Sequence, residues 1–219
     1  MSTQESGITL SREPATEGAG TSPSAAPADT QHRLAPAQLL EKRRAGQSVY
    51  VFDIRASEAY DAGHLPGAYS LPFEHLEANL HRLPFSGDLL FYDGGEGAVR
   101  QAVALLSDNG FNDFSYMEEG YAALQEAIRT SPDEVQYESL TPAERAAKIE
   151  QVLDHKVREF LARDGGGLEV MGIEESKVLV SYQGACGSCS SSTAGTLRFI
   201  QGVLTIQMNH EIEVVPVDT

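Results

Sequence analysis

The most constraining feature of the sequence is the segment 184–192, which holds Cys186 and Cys189, the only two cysteines of the 219-residue chain. The apolar run 178–182 before it is typical of a strand. Apolar residues at helical spacing follow it, namely Leu197, Ile200, Leu204 and Met208. The Cys-x-x-Cys is therefore expected where a strand passes into a helix. The unpaired N–H groups and the positive dipole end of that helix would favour thiolates.

Two thiolates make only half of a metal site. Thiolates bind soft metal ions and iron–sulfur clusters, and a tetrahedral zinc or a four-cysteine cluster needs four ligands. His155 and His210 are the histidines in this part of the chain, and their spacing does not place them near Cys189. A symmetric dimer in which each chain supplies two cysteines is the simplest completion of the site.

Composition narrows the classes of partner. The formal net charge of −16 argues against nucleic acid and against anionic membranes as partners. No apolar run approaches membrane-spanning length, and the N-terminus lacks the basic and apolar regions of a secretory signal. A Cys-x-x-Cys pair without such a signal indicates a reducing compartment. We therefore predict a cytoplasmic protein without nucleic-acid or membrane partners.

The composition also divides the chain into segments. Residues 1–33 are rich in Ser, Thr, Ala, Gly, Pro and Glu, which predicts a disordered tail. Residues 34–130 alternate apolar strands with helices, which predicts an α/β domain with a parallel sheet and flanking helices. Residues 131–139 show little apolar pattern and are predicted to be a linker.

The last predicted domain, 140–219, has the order α-β-β-α-β, a small α+β arrangement. Its first helix begins at Thr141-Pro142-Ala143-Glu144, where Thr, Pro and Glu stand at the positions of a capping box with proline in the first turn. Apolar spacing predicts that this helix buries one face, consisting of Ile149, Val152, Leu153, Val157, Phe160 and Leu161.

The segment 34–130 resembles a rhodanese-like domain. The matching pieces are Asp53-Ile54-Arg55 with Glu58 and Tyr60, the turn 63–68, the strand 89–92 with the glycine-rich loop 93–98, Gly110-Phe111, and Glu119-Gly120-Tyr121. In that family the sulfur-carrying cysteine directly follows the second of these strands, a position that Asp93 occupies here. A carboxylate cannot carry a persulfide, and Asp93 and Glu96 place negative charge where the family cradles an anionic sulfur. The resemblance thus implies the fold, and we expect the sulfurtransferase activity of this domain to be lost.

The segment 140–219 resembles the C-terminal domain of NifU-like iron–sulfur scaffold proteins. The resemblance is carried by Asp164-Gly165-Gly166, by Gly184-Ala185-Cys186-Gly187-Ser188-Cys189, and by Ser191, Thr196 and Leu197. The family often has proline near the end of the first helix and after the second cysteine, where this chain has Arg158-Glu159-Phe160 and Ser190. The resemblance implies a scaffold or carrier that holds one cluster, of the 4Fe–4S type, between Cys186 and Cys189 of two chains.

The partners implied are a second copy of the chain, apo iron–sulfur proteins that receive the cluster, and a cysteine desulfurase or other sulfur donor. No residue need act as an acid or base, so no enzyme is predicted. The alternatives are a sulfurtransferase or thiol–disulfide oxidoreductase using the same cysteines, half of a zinc site, and a pure interaction protein. A thioredoxin-like pair is disfavoured because only 30 residues follow Cys189 and Ala185 stands where such a pair usually has Trp.

Overall fold

The chain is described from a computed structural model, which covers residues 33–84, 87–163, 165–184 and 190–217. The predicted tail, apart from Arg33, and both cysteines lie outside the described residues. The first half contains a four-stranded sheet of order β2-β1-β3-β4 in which every pairing is parallel. Its strands are β1 (Val49–Asp53), β2 (Tyr69–Ser70), β3 (Asp88–Tyr92) and β4 (Ser115–Met117).

Helices cover both faces of this sheet. They are α1 (Pro36–Arg44), α2 (Ser57–Asp61), α3 (Phe73–Asn79), α4 (Ala98–Asp108) and α5 (Gly120–Thr130), with a 3-10 turn at Leu80–Arg82. Successive residues of β3 alternate between two cores: Leu89 and Phe91 pack on one face, and Leu90 and Tyr92 pack on the other. Because both faces are buried, the strand is apolar at consecutive positions. The predicted parallel sheet with flanking helices is confirmed.

The second half is a smaller two-layer domain. Its elements are α6 (Pro142–Leu153), a π-helical turn (Asp154–Arg158), α7 (Glu159–Arg163), β5 (Gly166–Glu174), β6 (Lys177–Gly184), α8 (Ser190–Met208) and β7 (Glu213–Pro216). Strand β6 lies in the middle of the sheet, antiparallel to β5 and parallel to β7. The long helix continues without a break through the π turn into α7, so the observed order is the predicted α-β-β-α-β.

The start of α6 has the predicted capping box. The Thr141 hydroxyl accepts a hydrogen bond from the Glu144 amide at 3.3 Å, and the Glu144 carboxylate accepts one from the Thr141 amide at 2.8 Å. Pro142 occupies the first helical position, where its missing N–H removes no helical hydrogen bond. These contacts satisfy amide groups that the first turn of a helix otherwise leaves unpaired.

One predicted core residue of this helix is exposed. Val157 and Leu161 are 0% and 3% exposed, whereas the Phe160 side chain is 52% exposed and contacts the ring of Phe199. The π turn accounts for the difference, because its wider spiral brings residues four apart onto one face and rotates the next positions away from the α-helical period. The prediction that Phe160 is buried is therefore wrong.

The connection between the halves is ordered against the second domain. Tyr137, in a 3-10 turn at Tyr137–Ser139, is 3% exposed and belongs to the core of the second half. Its hydroxyl donates a hydrogen bond to the carbonyl of Glu175 at 2.6 Å, and its ring stacks on His210 at 4.0 Å. Part of the predicted linker 131–139 thus contributes to the packing of the second domain.

The two halves contact each other through α1 and the C-terminal end of α8. The Arg43 guanidinium donates to the carbonyl of Ile206 at 3.2 Å, and the Gln207 amide donates to the carbonyl of Arg43 at 3.3 Å. The Gly67 amide donates to the Glu211 carboxylate at 2.9 Å. No helix in the described part of the chain has the length and apolarity needed to cross a membrane.

Candidate functional site

The Cys-x-x-Cys segment connects β6 to α8. Strand β6 ends at Gly184 and α8 begins at Ser190, so Cys186 and Cys189 fall in the intervening segment 185–189, outside the described residues. The flanking elements are the strand and the helix that the sequence predicted, and the structure places the strand in the middle of its sheet. Cys189 directly precedes the first residue of the helix in sequence.

The sheet brings a second sequence motif beside this segment. Gly166 pairs with Gly184 and Gly167 pairs with Gln183 where β5 and β6 run antiparallel. The start of β5, which follows Gly165 with its positive φ of 71°, therefore lies next to the residue at which the cysteine segment departs. The sheet thus brings the glycines that follow Asp164 in sequence next to Gly184, the last residue of β6.

Helix α8 is anchored by its apolar side. Ile200, Leu204 and Met208 are each 0% exposed and pack into the core formed with the α6 helix and the sheet. This burial confirms the helical spacing predicted after the cysteines. Because the buried contacts begin two to three turns after Ser190, they hold the helix axis while the first turn stays next to the cysteine segment.

The two histidines of this domain each have a hydrogen-bond partner elsewhere in the fold. His210 follows the C-terminal end of α8, and the 19-residue helix is about 28 Å long. Its Nε2 lies 2.7 Å from the Ser176 hydroxyl, and burial lowers its pKa below the ordinary value. His155 is exposed in the π turn, with Nδ1 2.7 Å from the carbonyl of Gln151. Among the described residues, no three His, Cys, Asp or Glu side chains converge to hold a metal ion.

In the first domain, the side chain of Asp93 fills the loop that follows β3. Asp93 is 1% exposed, and its two oxygens accept hydrogen bonds from the amides of Gly95 at 2.7 Å and Val99 at 2.9 Å. The Tyr121 amide donates to the Asp93 carbonyl at 2.9 Å. Two amides that point into the loop are thus already paired within it. A second anion would have to displace the Asp93 side chain to use them.

A buried network beside this loop was not recognised from the sequence. Asp53 is 0% exposed and accepts hydrogen bonds from the Tyr92 hydroxyl at 2.8 Å and from Nε of Arg55 at 2.9 Å. Arg55 also donates to the carbonyl of Gly63 at 2.7 Å, and the Leu65 amide donates to the Tyr92 hydroxyl at 3.2 Å. Burial raises the pKa of Tyr92, so its hydroxyl stays protonated as a donor. The network ties the ends of β1 and β3 to the turn 63–68.

Comparison with known families agrees with this division into two domains. A rhodanese-like domain model matches residues 35–127, and a NifU-like domain model matches residues 149–215. The first range corresponds to the parallel-sheet half. The second range begins within α6 and covers the rest of the second domain's helices and strands up to β7. The second range includes the segment between β6 and α8 that carries the cysteines.

Three curated relatives are informative. A nitrogen fixation protein NifU from Anabaena sp. (strain L31) is 40% identical over 79 residues, which are 36% of this chain and 70% of that protein. A NifU from Nostoc sp. (strain PCC 7120 / SAG 25.82 / UTEX 2576) is 41% identical over 38% of this chain and 28% of its own length. A protein of Drosophila simulans named NFU1 iron-sulfur cluster scaffold homolog, mitochondrial, is 26% identical over 66% of this chain and 50% of its own length.

The chain thus spans only 28% of the Nostoc protein but most of the shorter Anabaena protein. The shared regions, 83 and 79 residues, are about as long as the second domain, in which the NifU-like model matches residues 149–215. By its second domain the chain belongs to the NifU family, and in this chain that domain follows a rhodanese-like domain.

Proposed function

We propose that the chain is an iron–sulfur cluster scaffold or carrier that binds a cluster through Cys186 and Cys189 and delivers it to apo-proteins. The observation that carries the proposal is the junction of β6 and α8. The segment 185–189 between them holds both cysteines at the start of a 19-residue helix. Membership of the NifU family supports a role in iron–sulfur cluster assembly. The name of the Drosophila relative, an iron–sulfur cluster scaffold homolog, agrees with this role.

The cluster is the cargo of this protein, and two chains would share it. Each chain supplies two thiolates, and the usual ligand set of a 4Fe–4S cluster is four. His210 lies at the other end of α8 and pairs with Ser176, so it is not a third ligand in the same chain. Loss of ligands one at a time to thiols of an apo-protein would then release the cluster.

The first domain is proposed to be an interaction module rather than an active sulfurtransferase. Asp93 fills its own loop and accepts the hydrogen bonds of two loop amides. A carboxylate cannot form the persulfide that carries sulfane sulfur between donor and acceptor. The contact of α1 with the end of α8 keeps this domain on the cluster-binding domain, where it could dock a sulfur donor such as a cysteine desulfurase.

Anaerobic reconstitution with iron and sulfide tests the proposal. The parent chain is expected to gain a broad absorption band at about 400 nm and to retain iron and sulfide through gel filtration. Cys186→Ser and Cys189→Ser should each retain at least about 10-fold less iron than the parent, because one missing thiolate opens the cluster to hydrolysis. Ser188→Ala, in the same segment, is the matched control and should behave as the parent.

Two further measurements on the same proteins separate the alternatives. Thiocyanate formation from thiosulfate and cyanide should stay at the level of buffer, because Asp93 cannot form a persulfide and the two cysteines are proposed to hold a cluster. Turnover that disappears in Cys186→Ser or Cys189→Ser would favour the sulfurtransferase instead. Zinc that co-purifies in stoichiometric amount and excludes iron would favour half of a zinc site. Iron and sulfide retained equally by all three variants would contradict the ligand assignment.

A further inference from the structure

A cavity of about 200 Å³ lies where the first domain meets the second. Its walls come from α1, from segment 133–135, from α6 and the π turn, and from the end of α8. The charged side chains among its lining residues are Arg43, Arg44, Lys148, Lys156, Asp133 and Glu134. Four cations and two carboxylates leave an excess of positive charge, in a chain whose formal net charge is −16.

Arg43 is the buried member of this set. Its residue surface is 7% exposed, and Nη2 donates to the carbonyls of Pro66 at 3.1 Å and Ile206 at 3.2 Å. Nη1 is buried and has no hydrogen-bond partner among the described residues. Burial lowers the pKa of Arg43 to about 10, an effect that Glu134 and Glu211 partly offset, so the guanidinium is charged at neutral pH. The buried guanidinium places a fixed positive charge at the wall of the cavity, and an anion bound there would offset part of the cost of burying that charge.

The other cations differ in whether they are already neutralised. Arg44 lies 3.3 Å from the Glu134 carboxylate and 3.6 Å from that of Asp133, so both acids of the cavity are at ion-pair distance from Arg44. Lys148 donates only to the amide oxygen of Gln151, at 3.1 Å. Within the described ranges, no carboxylate lies at ion-pair distance from Lys148 or Lys156. Arg43, Lys148 and Lys156, from three different elements, therefore line the cavity, and among the described residues no acid lies at ion-pair distance from them.

We propose that this cavity binds a phosphate group, with Arg43, Lys148 and Lys156 as its cationic contacts. Phosphate is the class of anion that fits, because it carries close to two charges at neutral pH and presents oxygens in several directions at once. A planar carboxylate would suit one guanidinium, whereas α1, α6 and the π turn each supply one cation here. The volume admits inorganic phosphate or the phosphate end of a small metabolite.

The position of the cavity gives binding a consequence for the whole chain. Arg43 belongs to the first domain, Lys148 and Lys156 belong to the second, and Ile206 and Gln207 of α8 complete the wall. A bound phosphate would hold the two domains together through both sets of cations. The folded, docked form would be stabilised in proportion to the logarithm of phosphate concentration above the dissociation constant.

Calorimetric titration of the full-length apo chain with sodium phosphate, at constant ionic strength, tests the proposal independently of the cysteines. One saturable site per chain is expected. The double variant Lys148→Gln/Lys156→Gln should bind at least about 10-fold more weakly, since two of the three unpaired charges are gone. Lys177→Gln is the control: it removes one positive charge, from the exposed Lys177–Glu213 pair of the same domain outside the cavity, and should bind as the parent. Far-UV circular dichroism verifies that the double variant keeps the parent fold.

Glycerol 3-phosphate and citrate provide the comparison arms. Tighter binding of glycerol 3-phosphate than of inorganic phosphate would support a phosphorylated metabolite, and equal binding would support free phosphate. The proposal is overturned if phosphate does not saturate a site, if the folded double variant binds as tightly as the parent, or if citrate binds and phosphate does not.

Discussion

At the scale of single residues, Asp93 and Gly120 together determine the shape of the loop after β3. The Asp93 carboxylate draws in the amides of Gly95 and Val99, which closes the loop at the start of α4. Gly120 then packs directly against the backbone of Gly94 and Gly95 from the start of α5. This close approach explains why a glycine stands between Glu119 and Tyr121, where any side chain would collide with the loop.

Substitution of Gly120 by alanine should be severe. A Cβ there would lie 2.5 Å from the Gly95 amide nitrogen, and the φ of +72° is itself unfavourable for alanine. Gly110 provides a control with a similar φ of +85°, but a Cβ at that position would have no other atom within 4 Å. We expect Gly110→Ala to cost about 1–2 kcal/mol of unfolding free energy and Gly120→Ala at least about 2 kcal/mol more.

Urea unfolding followed by far-UV circular dichroism measures both variants. The loss from Gly110→Ala reports the backbone conformation alone, and the additional loss from Gly120→Ala reports the contact with the loop. Equal losses would mean that the loop can move away freely, and that Gly120 does not constrain the loop that Asp93 occupies.

At the scale of secondary-structure elements, the π turn between α6 and α7 decides which side chains reach the core. The turn keeps Val157 and Leu161 buried and leaves Phe160 at the surface beside Phe199. The rings of Phe160 and Phe199 are 5.2 Å apart and tilted by 44°, so they still shield each other in part. Neighbouring positions along one helix thus carry very different amounts of packing energy.

A pair of adjacent alanine substitutions tests this arrangement. Leu161→Ala should cost about 2–5 kcal/mol because it opens a cavity in the core. Phe160→Ala should cost no more than about 1 kcal/mol, the order of an exposed aromatic pair. Thermal and urea unfolding of both variants provides the comparison. A loss from Phe160→Ala as large as that from Leu161→Ala would mean that Phe160 is buried, as the regular helical period had predicted.

At the scale of the whole molecule, the proposed cluster site lies at one end of α8 and the contact with the first domain lies at the other. Ser190 opens the helix after the cysteine segment, while Ile206 and Gln207 at its far end meet Arg43 of α1. The end beside the cysteines is therefore separated from the first domain by most of the length of α8. A second chain could approach there without undocking the two domains.

Cluster loading is accordingly expected to drive dimerisation. The apo chain should be largely monomeric, since copies with a net charge of −16 repel each other. Loading should convert it to a species of twice the mass, because two chains are needed for four thiolates. Anaerobic sedimentation of apo and reconstituted protein measures the change, and removal of the cluster with a chelator should return the monomer. A loaded monomer with stoichiometric iron would refute the bridged cluster.

The sequence by itself determined the features that depend on neighbours along the chain. The consecutive apolar residues of β3 predict a strand buried on both faces, and the Thr141–Glu144 pattern predicts the start of α6, because a cap and a strand period are local. The spacing of Ile200, Leu204 and Met208 likewise predicts the buried face of α8. The choice of Cys186 and Cys189 as ligands also came from the sequence, and it stays a prediction because that segment is outside the described residues.

Only the tertiary structure decided the features that depend on residues far apart. A π turn takes an additional residue into a helical turn and leaves no distinct local pattern in the sequence. The exposure of Phe160 could therefore not be predicted. The pairing of Gly166 with Gly184, the buried Asp53 network and the burial of Tyr137 arise from contacts between distant segments. The cavity around Arg43 exists because two domains meet, and the cations that surround it lie up to 113 positions apart in sequence, from Arg43 to Lys156.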